Sequence, residues 1–85
     1  AAELAPRKIR VNCLSPGLTE TPILANMGLD EATANHVKAS THAGTPLGRS
    51  GTPDEIASAA VFLASDESSF MTAADVVADG GYSLV

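Results

Sequence analysis

The chain reads NCLSPGLTETP over residues 12–22, directly after an apolar run that starts at Ile9. This pattern predicts a strand from Ile9 to Leu14 that ends in a Pro-Gly turn followed by hydroxyl side chains. In an open α/β sheet, ligands bind beyond the carboxyl ends of the strands. The turn offers backbone amides and the hydroxyls of Thr19 and Thr21, with no charged side chain at its apex. It therefore suits a neutral polar group such as a carboxamide better than a metal or a free phosphate.

A second strand and a helix are predicted downstream. Residues 52–55, Thr-Pro-Asp-Glu, combine a hydroxyl N-cap, a proline at the first helical position and a glutamate that closes a capping box. The helix is expected to run to about Ala64. Because residues 56–65 carry no charge, we expect this helix to be buried nearly all round, against another subunit or further chain. Val76 to Ala78 is the second predicted strand.

The region from Pro22 to His42 is predicted to form a mobile flap with two short helices. Pro22 can start the first helix, which would run to Met27 and stop at Gly28. Asp30 can cap the second helix, across 31–38. Residues 1–5, before the first strand, resemble the last turn of a helix, and Pro6 would end that helix.

Composition limits the classes of partner. The 85 residues allow one domain, and 45% of them are hydrophobic, as in ordinary globular chains. A formal net charge of −5 argues against nucleic-acid and membrane partners. Cys13 is the single cysteine, which excludes an internal disulfide and favours a cytoplasmic location. We expect it to be a small buried hydrophobe.

Four segments together resemble the classical short-chain dehydrogenase/reductase family. They are the helix exit and strand at 3–12, the turn at 12–22, the helix entrance PLGRSGTPDEIA at 46–57 and the strand with its glycine pair, VVADGG, at 76–81. The resemblance implies an α/β fold with a Rossmann-like doubly wound parallel sheet. This chain would supply the last two strands, the flap helices and one full helix.

The resemblance also divides the chain, which would be the carboxyl-terminal part of a single domain. Residues 1–21 would carry the end of a helix, a strand and the cofactor loop. Residues 22–45 would form the substrate flap, and residues 46–85 the helix, last strand and subunit interface.

The function implied by this resemblance is hydride transfer between NAD or NADP and a small-molecule carbonyl or alcohol substrate. The whole enzyme would be a cytoplasmic homotetramer or dimer. Two kinds of substrate stay open, an acyl-carrier-protein ketoacyl group and a sugar, polyol or steroid. A different class of function is also open, in which the chain is a non-catalytic truncated fragment or an interaction module that docks through its apolar helix.

The family's catalytic and phosphate-binding motifs do not occur in this sequence. There is no G-x-G-x-x-G, and the single tyrosine, Tyr82, has no lysine four residues later. We therefore assign no catalytic residue to the chain and expect those motifs to precede Ala1, which has no cap and no initiator methionine. Because two strands alone are marginal in water, the rest of the enzyme is expected to be required for folding.

The candidate cofactor-binding residues all lie in the turn, and each has a structural alternative. By resemblance, the backbone at Leu18 would contact the nicotinamide carboxamide, and the Thr21 hydroxyl the carboxamide or the pyrophosphate. Thr19 could do either. Both threonines could instead cap the turn or the following helix, and Pro16-Gly17 could simply end the strand.

The candidate substrate residues are Ile23, Leu24 and Met27. By resemblance they would wall a substrate pocket. They could equally anchor a surface helix on the core. No metal site is predicted, because His36 and His42 are six residues apart and lack an accompanying carboxylate pattern. We expect both histidines to be solvated loop residues.

Three further residues carry specific expectations. Arg49 is expected to make an ion pair with the acidic residues at 54–55, with a phosphate role as the alternative. Asp79 is expected to fix its turn through backbone amides, with a proton-donor role as the alternative. Ala73 stands where the family usually has glycine, so we expect it not to need a positive φ.

Overall fold

The structure of the chain, a computed structural model, describes residues 1–22 and 26–84. Strand β1 spans Cys13–Pro16 and helix α1 spans Glu31–Gly44. Helix α2 spans Pro53–Ala64 and strand β2 spans Asp75–Ala78. Single 3-10 turns lie at Ala5–Arg7, Asp66–Ser68 and Tyr82–Leu84.

The two strands form a parallel pair whose carboxyl ends lie side by side. The register runs from Cys13 opposite Asp75 to Pro16 opposite Ala78. Both helices lie in the connection between the strands, as parallel strands require a long crossover. The prediction of a parallel α/β arrangement is confirmed.

Strand β1 begins four residues later than the predicted start at Ile9. Side chains take the place of ladder bonds there, because Asn12 Nδ2 donates to the Met71 carbonyl at 3.1 Å and Asn12 Oδ1 accepts from the Ala74 amide at 3.0 Å. The Val11 carbonyl accepts from the Ala73 amide at 2.8 Å. The segment is therefore extended and attached to the loop before β2, without being a regular strand.

Arg10, in the extended segment before β1, connects that segment to the end of α2 and to the residues that follow it. Its guanidinium donates to the carbonyls of Ser68, Met71, Leu63 and Ser65 and to the Ser68 hydroxyl, at 2.9–3.1 Å. These carbonyls include those that the end of a helix leaves without partners. Among the described residues, Ser68 has the lowest exposed fraction, 2%. The local sequence pattern around Arg10 does not predict these contacts, because their acceptors lie 53 to 61 residues away.

Both helices begin where they were predicted to begin. The Asp30 carboxylate accepts from the Thr33 amide at 2.7 Å and caps α1. The capping box of α2 is complete, since Thr52 Oγ1 accepts from the Glu55 amide and the Glu55 carboxylate accepts from the Thr52 amide. Helix α2 ends at Ala64, as predicted.

Helix α1 is longer than the predicted 31–38 and ends at Gly44. Tertiary packing explains the extra turns. A Cβ added at Gly44 would lie 3.2 Å from Cε2 of Tyr82, and the buried Thr45 donates its hydroxyl to the Thr41 carbonyl at 2.6 Å. The last turn is thus held against a segment far along the chain, which a local pattern does not report.

The amino-terminal turn and the residue before β2 also differ from expectation. Ala5 donates to the Ala1 carbonyl as in a helical turn, but Pro6 lies inside the 3-10 turn and the helical path ends at Lys8, whose φ is 60°. A proline is tolerated there because the first turn needs no donor. Ala73 has a φ of 59°, so the expectation that it avoids the left-handed region is wrong.

The chain buries little of its apolar surface within itself. In the described part, the buried residues are three hydroxyl residues: Thr45, Ser50 and Ser68. The accessible surface is 6046 Å², against roughly 4,700 Å² for a compact monomer of this mass. Cys13 is exposed, which corrects the expectation of a buried thiol. No described residue of α2 is buried, so the described part of the chain covers its uncharged surface only in part.

Candidate functional site: the turn after strand β1

The turn that follows β1 is held tightly against the end of β2. The Gly17 amide donates to the Ala78 carbonyl at 3.0 Å. A Cβ added at Gly17 would lie 2.6 Å from Cβ and 2.8 Å from Cα of Asp79. Only glycine allows this approach, so Gly17 fixes where the turn leaves the sheet. Pro16, the last residue of β1, is exposed.

After the turn, the chain pairs with a segment that lies between the two helices. The Gly51 amide donates to the Leu18 carbonyl at 2.9 Å, and the Glu20 amide donates to the Gly51 carbonyl at 2.8 Å. Thr19 and Gly51 are partners in this parallel bridge. In such a bridge the residue between the two bonded groups directs its own N–H and C=O to the opposite side. The backbone of Thr19 therefore points away from Gly51.

Gly51 was missed as a functional position from the sequence. Nothing in the local sequence around Gly51 shows that it pairs with Thr19, 32 positions earlier. The one available signal was the complete capping box that follows it, since such a cap fixes the path of the residues just before the helix.

The threonine side chains differ in their surroundings. Thr19 Oγ1 donates to the Gly17 carbonyl at 3.1 Å, so its hydroxyl caps the turn and only its backbone faces outward. Thr21 is exposed and lies with Pro22 on a shallow cleft of about 300 Å³ against α1. Leu18 lines a separate cleft of about 200 Å³ whose wall includes Asp79. The turn thus brings these residues together. Thr19 offers its backbone to a ligand, whereas Thr21 is exposed and Leu18 lines a separate cleft.

Of the candidate substrate residues, Ile23 and Leu24 lie outside the described residues. Met27 is described and its side chain is 65% exposed. The Asn26 amide donates to the Pro22 carbonyl at 2.9 Å, as in a helical turn. The first flap helix stays a prediction.

Arg49 forms the expected ion pair, and its partner is Glu55. Nη1 and Nη2 donate to the two carboxylate oxygens at 2.8 and 2.9 Å, and Nη1 also donates to the Ser50 carbonyl at 3.0 Å. The hydrogen bond from Arg49, with a further one from the Thr52 amide, lowers the pKa of Glu55 to about 2. The segment that carries Gly51 is thereby fixed to the start of α2.

Asp79 fixes its turn, as expected. Its carboxylate accepts from the Gly81 amide at 2.8 Å and from the Ser83 amide at 2.9 Å. Hydrogen bonds from Ser83 and then Gly81 hold the pKa of Asp79 below its ordinary value. An ionised acceptor of this kind is unsuited to the alternative role of proton donor.

The two histidines lie on α1, which corrects the expectation of loop residues. His36 is exposed, whereas His42 Nε2 lies 2.7 Å from the hydroxyl of the buried Ser50. Among the described residues, no group of three or more His, Cys, Asp or Glu side chains could hold a metal ion. None of the helices in the described ranges has the length and apolar character to cross a membrane.

Comparison with known proteins agrees with this geometry. The model of a family described as enoyl-(acyl carrier protein) reductase matches residues 1–83. A 3-oxoacyl-(acyl-carrier-protein) reductase of Chlamydia pneumoniae is 47% identical over 81 residues, which are 95% of this chain and 30% of the relative. A cis-4-hydroxycyclohexanecarboxylate dehydrogenase of Sinomonas cyclohexanicum is 41% identical over all of this chain and 32% of its own length.

Solved structures show the same relationship. A short-chain type dehydrogenase/reductase of Mycobacterium marinum aligns over the full chain and 31% of its own length, with a TM-score of 0.83 and 42% identity. A short chain dehydrogenase family protein of Francisella tularensis aligns with a TM-score of 0.79 and 33% identity, over the full chain and 37% of its own length. The chain spans about a third of the length of the relatives that it matches. It belongs to the short-chain dehydrogenase/reductase family, as its sequence predicted, and corresponds to the carboxyl-terminal portion of that Rossmann-type fold.

Proposed function

We propose that the protein carrying this chain is an oxidoreductase that transfers a hydride between NAD or NADP and a carbonyl or alcohol carbon of a small molecule. The single observation that carries the proposal is the position of the turn at 16–21. It lies beyond the carboxyl ends of two parallel strands, where ligands of open α/β sheets bind. Relatives of the chain are named as reductases and dehydrogenases.

The chemistry of the turn fits a nicotinamide carboxamide. A carboxamide has one acceptor and two donor hydrogens, and the outward N–H and C=O of Thr19 form a complementary pair. The Leu18 carbonyl is already bonded to Gly51, and by the family resemblance the Leu18 amide is the group assigned to a ligand. We assign Leu18 and Thr19 to the carboxamide through their backbones, and Thr21 to the carboxamide or pyrophosphate through its hydroxyl. When bound, the cofactor supplies or accepts the hydride.

The remaining roles in this proposal concern the flap and the helix surface. Residues 22–45, with Ile23, Leu24 and Met27, would cover the substrate. The exposed apolar side chains of α2, with β2, would form the subunit interface of a cytoplasmic homotetramer or dimer. Both roles rest on the family resemblance, and the interface is supported by the exposure of Val61 (67%) and Phe62 (40%).

The experiment that tests this function uses the intact protein. Its mass is measured first, and NADH and NADPH are then titrated against it while cofactor fluorescence is followed. We expect one of them to bind, and Thr21→Val to weaken binding about three- to tenfold because one hydrogen bond is lost. Binding of neither cofactor would contradict the proposal.

A second candidate function is a non-catalytic interaction module that docks through α2. The exposed apolar surface of that helix favours it. If the isolated 85-residue chain unfolds cooperatively and captures a partner without binding cofactor, this function is the correct one. We expect instead a non-cooperative thermal transition, because no apolar residue is buried in the described part of the chain.

A further inference from the structure

A histidine–serine hydrogen bond joins the flap helix to the segment between the helices. His42 lies in the last turn of α1, and its Nε2 is 2.7 Å from Ser50 Oγ. Ser50 is only 6% exposed. A hydroxyl buried to this extent needs a partner, because an unsatisfied buried polar group is unfavourable by about 1–3 kcal/mol. Without His42, the hydroxyl of Ser50 would have to find another acceptor or donor.

Ser50 directly precedes the residue that aligns the turn after β1. Gly51 holds the Leu18 carbonyl and the Glu20 amide through its own amide and carbonyl, at 2.9 and 2.8 Å. The orientation of the Thr19 backbone follows from this pairing. A displacement of Ser50 would therefore move the groups assigned to the carboxamide.

A second contact joins the same side of α1 to the same turn. Lys38 Nζ lies 3.5 Å from the Glu20 carboxylate. Lys38 and His42 are four residues apart and so lie on one face of the helix. One contact reaches Glu20 directly and the other reaches it through Ser50 and Gly51. The ion pair is partly exposed and contributes little by itself. The His42–Ser50 bond, whose serine is buried, is the stronger of the two links.

We propose that His42 and Ser50 are positioning residues that fix the cofactor-contacting turn to the flap helix through Gly51. Neither residue contacts the cofactor in this scheme. Their hydrogen bond sets the position of the Gly51 backbone and, through it, of Thr19. The consequence for cofactor binding rests on the proposed function. The effect of the His42–Ser50 bond on the position of the Gly51 backbone does not.

The experiment compares hydrogen exchange and cofactor affinity in the intact protein. His42→Leu and Ser50→Ala each remove the bond. We expect the Gly51 and Glu20 amides to exchange about three- to tenfold faster in both variants, and the dissociation constant of NADH or NADPH to rise by a similar factor. The double variant should do no more than either single change, because both act through one bond. His42→Gln, whose amide can reach the hydroxyl, should restore most of the loss.

His36→Leu is the matched control, a histidine on the same helix that is exposed, and it should leave both exchange rates unchanged. Unchanged exchange in His42→Leu and Ser50→Ala would overturn the link. Faster exchange with unaltered affinity would overturn the positioning role. If the unaltered protein binds neither cofactor, the proposed function fails, and the exchange rates alone decide whether His42 holds the turn. Should His42→Leu fail to fold, Ser50→Ala, which removes one oxygen atom, carries the same test.

Discussion

The carboxyl end of the sheet and the surface of helix α2 are organised in opposite ways. At the carboxyl end, Gly17 packs on Asp79, Gly51 pairs with the residues around Thr19, and each turn is closed by hydrogen bonds. On α2, the side chains of Val61 and Phe62 remain exposed, with no described residue of the helix buried.

The difference follows from the range of the two forces. Hydrogen bonds and close glycine contacts each need only a few partner atoms, so the turn can be fixed by a few residues from other parts of this chain. Hydrophobic stabilisation grows with the apolar area removed from water and needs a large facing surface. The hydrogen bonds that fix the turn are therefore present within this chain. The apolar surface of α2 needs a further protein surface to cover it.

The largest expected effect is at the apolar surface. Val61→Asp in the intact protein should destabilise it by about 4 kcal/mol, because a covered interface would have to hold an unpaired charge. Chemical denaturation gives the free energy of unfolding, and size-exclusion chromatography gives the oligomeric state. Val61→Thr, which keeps the shape without the charge, should have a much smaller effect. If the Val61→Asp variant keeps the stability and the oligomeric state of the unaltered protein, this surface faces water.

Next in size is the loss of the Arg10 contacts. Arg10→Ala should destabilise the intact protein by about 3 kcal/mol, since five hydrogen bonds from a charged guanidinium are lost. Urea denaturation measures this change in the free energy of unfolding. Arg7→Ala, at an exposed arginine three residues earlier, should change stability by less than about 0.5 kcal/mol. Equal effects of the two changes would show that the Arg10 contacts do not stabilise the fold.

A smaller effect is expected where the turn meets β2. Gly17→Ala would place a Cβ 2.6 Å from that of Asp79 and should destabilise by about 2 kcal/mol through overpacking. Cofactor affinity should fall with it, since the turn must move. Gly51→Ala is the control for stability, because its Cβ would meet Ile56 at 3.9 Å, an ordinary contact. The prediction fails if the two glycines tolerate alanine equally well.

A substitution at Ala73 is expected to stabilise the protein. Its φ of 59° lies in the region that favours glycine, so Ala73→Gly should stabilise the intact protein by about 1 kcal/mol. A thermal melt measures the shift. Ala74→Gly, at the neighbouring position, should destabilise instead, because glycine there only adds freedom to the unfolded chain.

The smallest expected effect is the pH dependence from Glu55. Its pKa in the folded chain, about 2, lies below the ordinary value of 4.5. The stabilisation is therefore fully present above about pH 4.5 and is lost as the pH falls towards 2. Arg49→Met removes the main cause and should flatten the dependence of stability on pH in that window. An unaltered slope in the variant would show that the ion pair does not contribute.

Much of this structure could be predicted from local signals, and the failures share one cause. The cap at Asp30, the capping box at Thr52 and the turn held by Asp79 depend on residues within four positions of each other. The late start of β1 and the contact between the end of α1 and Tyr82 involve distant segments. The left-handed Ala73 likewise donates its amide to the distant Val11 carbonyl. Within the candidate site, the turn was predicted and its partner Gly51 was not.

The sequence by itself determined the family, the parallel α/β character and the position of the Pro16-Gly17 turn, because each is carried by short motifs and by hydrophobic alternation. Only the tertiary structure decided that Gly51 aligns Thr19, that Arg10 joins the segment before β1 to the end of α2 and that His42 binds Ser50. These contacts join residues 8 to 53 positions apart, and the pairing at that distance is fixed only when the helices and strands pack together.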